Sequence, residues 1–187
     1  MSGRYASRVG AFLQPIIAST SSLDGFIAFA AEYFVFFAGV IVLATWLHPK
    51  GLRAVIAMTI GAVVGLLVGS ALSHLWDEAR PFVAGHYAPL VPHSADASFP
   101  SDHLIVLGAI AAGARHVSRL LGIAGILLAV IVATARVYAG LHYWVDVVGG
   151  FALGYAFATV GWWATLPLRP LLSRADSLFA RGKPRPG

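Results

Sequence analysis

Three short polar stretches interrupt an otherwise apolar chain, and the side chains they carry suit chemistry on a phosphate. They are "EARPF", with Arg80 and Pro81; "SFPSDH", with Ser101, Asp102 and His103; and "ARVYAGLHYWVD", with Arg136, His142 and Asp146. Two guanidiniums can grip a phosphate through paired, charge-assisted hydrogen bonds. Ser101 and the first free backbone N–H groups of a helix beginning there form an anion site. His142 and Asp146 are four residues apart, which places them on one face if that stretch is helical, so that the carboxylate can set the ring tautomer. An imidazole oriented in this way is a competent nucleophile toward phosphorus, and His103 can protonate the leaving oxygen. No carboxylate cluster or His-x-x-x-His pair suggests a metal, and nothing suggests a cofactor. The pattern reads as metal-independent phosphoryl transfer.

The elements that must position these groups are membrane helices. The 187 residues suffice for one compact domain, and they are 58% hydrophobic and only 11% charged, with a mean hydropathy of +0.79. Soluble domains carry about 25% charged residues. There is no cysteine, which excludes a disulfide framework or thiolate metal site. The net charge of +5 comes without a basic stripe interleaved with aromatics, so nucleic acid is not an expected partner. Apolar runs cover 26–47, 54–76, 104–114 and 120–135, and a fifth follows "RVYAGLHYWVD" and ends near Leu168. Residues 4–18 read as an amphipathic helix lying in the interface. The expected fold is all-α: an integral membrane bundle of about five transmembrane helices plus that N-terminal helix. Its parts are an interfacial segment (1–22), a membrane domain (23–168) and a basic cytoplasmic tail (169–187).

The third run is short. A helix from Ser101 to Arg115 spans about 22 Å at 1.5 Å per residue, less than the ~30 Å hydrocarbon core. Asp102 and His103 are therefore expected slightly below the membrane surface, with Arg115 and Arg119 snorkelling at the other end. Five spans put nine of the 13 basic residues, including Lys50, Arg53, Arg115 and Arg119, on one side. The positive-inside rule makes that side cytoplasmic. All three polar stretches then face outward, with five of the eight acidic residues.

These stretches resemble the three-block signature of the type 2 phosphatidic acid phosphatase superfamily: K-x6-R-P, P-S-G-H and S-R-x5-H-x3-D. The run "LVPHSADASFPSDH" is similar to the bacitracin-resistance type of undecaprenyl-diphosphate phosphatase, whose second block reads P-S-D-H; the resemblance covers about residues 23 to 155. It implies a helical bundle in the bacterial cell membrane that removes a phosphate from a polyprenyl diphosphate at the outer face. His103 would be the general acid, His142 the nucleophile oriented by Asp146, and Arg80, Ser101 and Arg136 the phosphate contacts. Asp102, where much of the superfamily has glycine, narrows the substrate toward prenyl diphosphate. Three positions depart from the pattern: Ser73 for the first-block lysine, Ala135 for the third-block serine, and Leu104 where the subgroup usually has threonine.

Plainer readings stand beside these. Ser101 and Asp102 suit a helix N-terminus by preference alone. His74, His86 and His93 fit a wet loop, and His93, near Asp96, is also a candidate headgroup contact. Glu32 lies inside a span, where a carboxylate costs about 2.5–3.5 kcal/mol. It is expected to face the bundle interior, either as a structural hydrogen-bond partner or as part of the headgroup pocket. The alternatives to a prenyl diphosphate are another lipid phosphate, such as phosphatidylglycerol phosphate or phosphatidate, and a non-catalytic lipid-binding or transport role.

Overall fold

The computed structural model describes residues 21–172 and Ala175. The interfacial helix expected over 4–18 and most of the basic tail lie outside the described residues. The helices that build the bundle follow in order among the described residues: α1 (Ser21–Tyr33), α2 (Ala38–Trp46), α3 (Gly51–Trp76), a single turn α4 (Pro81–Ala84), α5 (Asp102–Arg115), α6 (Arg119–Tyr138) and α7 (Trp144–Ala164). A 3₁₀ turn, Phe34–Phe37, joins α1 to α2, and another, Leu166–Leu168, follows α7. In this membrane bundle, four stretches are long and apolar enough to cross a bilayer: Leu23–Trp46, Gly51–Trp76, Arg119–Tyr138 and Trp144–Ala164.

The short third run becomes the centre of the bundle. α5 has 14 residues, about 21 Å of helix, and ten of them are buried, from Leu104 and Ile105 to Ala114. It packs against α3, α6 and α7. The outer helices turn large apolar side chains outward, among them Phe36, Val40, Leu67, Val130, Val148 and Val160. A bilayer solvates such faces, and the backbone polar groups are satisfied within each helix.

Without a hydrophobic drive between helices in lipid, close packing decides how they associate, and small residues permit it. On α7, Gly150, Gly154 and Ala158 recur every four residues, as do Gly61, Gly65 and Gly69 on α3. A Cβ on Gly154 would overlap the Ile105 carbonyl oxygen, and one on Gly108 the Phe151 carbonyl oxygen. This backbone contact sets the start of α5 against the start of α7, and both starts carry site residues. At the far end, the buried Arg53 donates to Thr165 Oγ1 at 3.2 Å and to the Trp162 carbonyl at 2.5 Å. It also lies 3.7 Å over the Trp162 ring, on which His116 stacks at 4.6 Å. A cation at the carboxyl end of α7 suits the helix dipole, so this cluster ties α3 to α7 opposite the site.

Candidate active site

The connection between α3 and α5 delivers the first two polar stretches to one place. α3 stops at Asp77, which adopts a left-handed conformation (φ 39°). The chain then pairs with itself across an isolated bridge, Ala79 with Ala97, and the Ser98 N–H donates to the Glu78 carbonyl at 2.8 Å. Arg80 and Asp96 thereby lie alongside each other, and Arg80 Nε donates to Asp96 Oδ1 at 2.8 Å. Phe99 packs against Trp76, with ring centroids 5.5 Å apart. The last stretch arrives through the loop between α6 and α7, where Gly140 takes a positive φ of 78°; a Cβ there would collide with the Tyr87 ring.

These segments enclose a cavity of about 770 Å³ whose wall includes Arg80, His93, Asp102, His103, Arg136 and His142. Its α3 side presents Ser70, Ser73 and His74, so the serine at the lysine position of the signature faces the cavity. Arg80, Arg136 and His142 are all buried. Buried guanidiniums are tolerated where they are hydrogen-bonded, and both are. Arg80 Nη1 donates to the Leu141 carbonyl at 3.1 Å, and Arg136 Nη1 to the Ala31 carbonyl at 3.1 Å.

The two guanidiniums converge on one atom. His142 Nε2 lies 3.3 Å from Arg80 Nη1 and 3.3 Å from Arg136 Nη2. A guanidinium has no acceptor, so Nε2 carries a lone pair and the ring proton is on Nδ1. Nδ1 donates to the Ser98 carbonyl at 2.9 Å, whereas Asp146 Oδ2 is 3.5 Å away. That oxygen accepts instead from Ser98 Oγ at 2.5 Å and from the Tyr143 N–H at 2.8 Å. The result is an imidazole with its nucleophilic nitrogen between two cations.

Several sequence expectations change here. His142 is not on a helix: it precedes α7, and Asp146 sits in the first turn of α7. Their four-residue spacing thus arises from a loop entering a helix. Ser101 is the N-cap of α5 by position, yet its hydroxyl makes no capping bond and is buried without a partner. Ser101 and Asp146 are fully buried behind the cavity wall, joined by the Ser101 N–H to the Asp146 carbonyl at 3.1 Å. Glu32 does not face the bundle interior: it is exposed on α1, outside the cavity wall. The reason is the register of α1, whose small Ala30 and Ala31 are the residues buried there. His93 stands at the exposed rim, its Nε2 3.4 Å from Arg136 Nη2. Ser98 drew no attention in the sequence, and its place in the run SFPSDH, three residues before Ser101, was the available signal.

Electrostatics favour a neutral His142. Its burial pushes the imidazole below its ordinary range; Asp146 opposes this, and the Arg136 and Arg80 charges add to the lowering. His93, partly enclosed at the rim, is pushed down to about 4 by that partial desolvation and by the same two arginines. For Asp96, partial burial disfavours ionisation, but the hydrogen bond and charge of Arg80 outweigh it and hold the carboxyl below the usual range. A neutral base, two fixed cations and a histidine at a helix start form a set able to bind a phosphate, attack it and protonate what leaves.

The chain resembles several known proteins. Undecaprenyl-diphosphatase BcrC of Bacillus subtilis is 33% identical over 135 residues, 71% of this chain and 70% of that one. The bacitracin transport permease protein BcrC of Bacillus licheniformis is 29% identical over 93% of this chain and 87% of its own. Among solved structures, a transmembrane PAP2-type phosphatidylglycerolphosphate phosphatase from Bacillus subtilis superposes with a TM-score of 0.64 at 20% identity, covering 84% of this chain and 83% of that one. The sequence profile of the PAP2 superfamily matches residues 50–169, which run from the turn before α3 to just beyond α7 and include all three polar stretches, and the chain belongs to that superfamily.

Proposed function

We propose that this protein is a membrane phosphatase that cleaves undecaprenyl diphosphate to undecaprenyl phosphate and inorganic phosphate. The observation that carries the reading is His142 Nε2, unprotonated and 3.3 Å from each of two guanidiniums. A terminal phosphoryl group seated between Arg80 and Arg136 meets a nucleophile whose lone pair already points at it. Nε2 attacks phosphorus, and the bond to the bridging oxygen breaks. His103 gives its proton to the departing lipid phosphate, and a water then releases phosphate from the phosphohistidine while His103 takes the proton back. The arginines stabilise the charge that grows on the transferring group. Asp102 and His93, both on the cavity wall, are the further polar groups assigned to the headgroup, and Ser101, behind that wall, is left out of the set. Glu32, exposed on α1 and outside the cavity wall, is given no headgroup contact.

The membrane domain, residues 23–168, holds this chemistry at the outer face of the bacterial cell membrane. The clustering of basic residues at the opposite end of the bundle supports that orientation. The names of the relatives support the substrate. Rates of phosphate release by purified protein on undecaprenyl diphosphate, phosphatidylglycerol phosphate and phosphatidate test it. The highest kcat/KM is expected on the diphosphate. A higher value on a glycerophospholipid would replace the substrate and leave the chemistry, and binding without turnover on all three would favour a transport or lipid-binding role.

A further inference from the structure

The hydrogen bonds around His142 assign orientation of the nucleophile to a residue outside the His–Asp pair. The Ser98 carbonyl takes the Nδ1 proton at 2.9 Å, while the nearer carboxylate oxygen of Asp146 stands at 3.5 Å. The Ser98 hydroxyl occupies that same oxygen at 2.5 Å, and the Tyr143 N–H occupies it at 2.8 Å. Ser98 is fully buried. It is held from three directions, by its own N–H on the Glu78 carbonyl, by the bridge of Ala97 with Ala79, and by Phe99 packed on Trp76. A residue pinned this firmly, and bonded to both members of the pair, can fix the geometry of both.

We propose that Ser98 is a positioning residue for the His142 nucleophile: its main-chain carbonyl fixes the ring tautomer, and its hydroxyl holds the Asp146 carboxylate off the ring. The proposal rests on the reading of His142 as nucleophile. Holding Asp146 back has a chemical use. A carboxylate closing directly on Nδ1 favours the imidazolium, and an imidazolium has no lone pair for attack. With Ser98 in place, the ring keeps a tautomer with Nε2 free and stays neutral, while Asp146 remains near enough to steady the positive charge that forms during attack. The other ionisable groups around His142 are Arg80 and His93 from the loop before α5, Asp102 and His103 from α5, and Arg136 from α6. All are unchanged by substitution of Ser98, so a change in the titration of the nucleophile reports Asp146.

The test is the pH profile of kcat for phosphate release by purified full-length protein. In Ser98→Ala, Asp146 Oδ2 loses its hydroxyl donor and turns to Nδ1, and the acid limb is expected to move upward by about one pH unit. Ser98→Thr, which keeps a hydroxyl, is expected to restore the wild-type limb. An unshifted limb in folded Ser98→Ala, even with reduced kcat, would show a merely structural residue and overturn the proposal. If Ser98→Ala does not fold, Asp146→Asn decides. Its amide oxygen still accepts from Ser98 and Tyr143, so a loss of about tenfold or less supports the proposal. A loss near ~10⁴, the size seen where a carboxylate itself sets the tautomer, overturns it. Wild-type protein without phosphatase activity, or an active His142→Ala, sinks the nucleophile reading and the proposal with it. A dead His142→Ala beside an unshifted, folded Ser98→Ala sinks the proposal alone.

Discussion

Replacing Arg80 with lysine separates geometry from charge at this site. The guanidinium does three things at once: Nε donates to Asp96 at 2.8 Å, and Nη1 donates to the Leu141 carbonyl at 3.1 Å and faces His142 Nε2 at 3.3 Å. A lysine ammonium keeps the charge but has one nitrogen, and it cannot reach an exposed loop carboxylate and a buried imidazole together. Two charge-assisted hydrogen bonds are lost, each contributing about 1.5–3 kcal/mol. If the loss falls on the transition state it totals about 3–6 kcal/mol, which at 1.36 kcal/mol per decade lowers kcat/KM by about 10²–10⁴. The assay is phosphate release from undecaprenyl diphosphate by purified Arg80→Lys, with thermal unfolding measured on the same protein to show whether the loss falls on stability instead. A folded variant whose kcat/KM stays within about threefold of wild type would refute the reasoning, because positive charge alone would then suffice.

Three further outcomes follow from the same structure. Because attack requires neutral His142 and burial lowers its pKa, protonation should remove activity only below the ordinary histidine value of about 6.5; a kcat acid limb centred above that value would contradict the electrostatics. A Cβ at Gly154 would overlap the Ile105 carbonyl oxygen, whereas one at Gly39 meets nothing within 4 Å; Gly154→Ala should therefore destabilise by about 1–3 kcal/mol or more, and Gly39→Ala should leave the unfolding temperature unchanged or slightly raised. Since attack and charge stabilisation are assigned to side chains, EDTA should leave phosphate release intact and vanadate should inhibit it, and strong EDTA sensitivity would remove the metal-free mechanism.

Much of this architecture could be read from residue order. Apolar runs long enough for a bilayer became helices within a few residues of the expected limits, because span length is dictated by hydrocarbon thickness. Arg80, His103, Arg136 and His142 were legible as a group because their types converge on one chemistry. Contacts between distant segments were not legible. Ser98 meets His142 across 44 residues and Asp146 across 48, and only the bridge at Ala79 and Ala97 and the packing of α5 on α7 bring them together. The same packing put Ser101 and Asp146 behind the wall. Glu32 was misplaced because a carboxylate inside an apolar run suggests burial, while the register of α1 gives the buried positions to Ala30 and Ala31. The central position of α5 was likewise hidden: its shortness showed in the sequence, but its burial depends on glycines spread over three helices.

The central claim is that His142 carries the phosphoryl group. Brief incubation of purified protein with undecaprenyl diphosphate labelled in its terminal phosphate, followed by alkaline quenching and peptide mass analysis, tests it directly. Labelled phosphohistidine is expected at His142, with neither label nor phosphate release in His142→Ala. Phosphate release by folded His142→Ala, or label recovered on another residue, would contradict it.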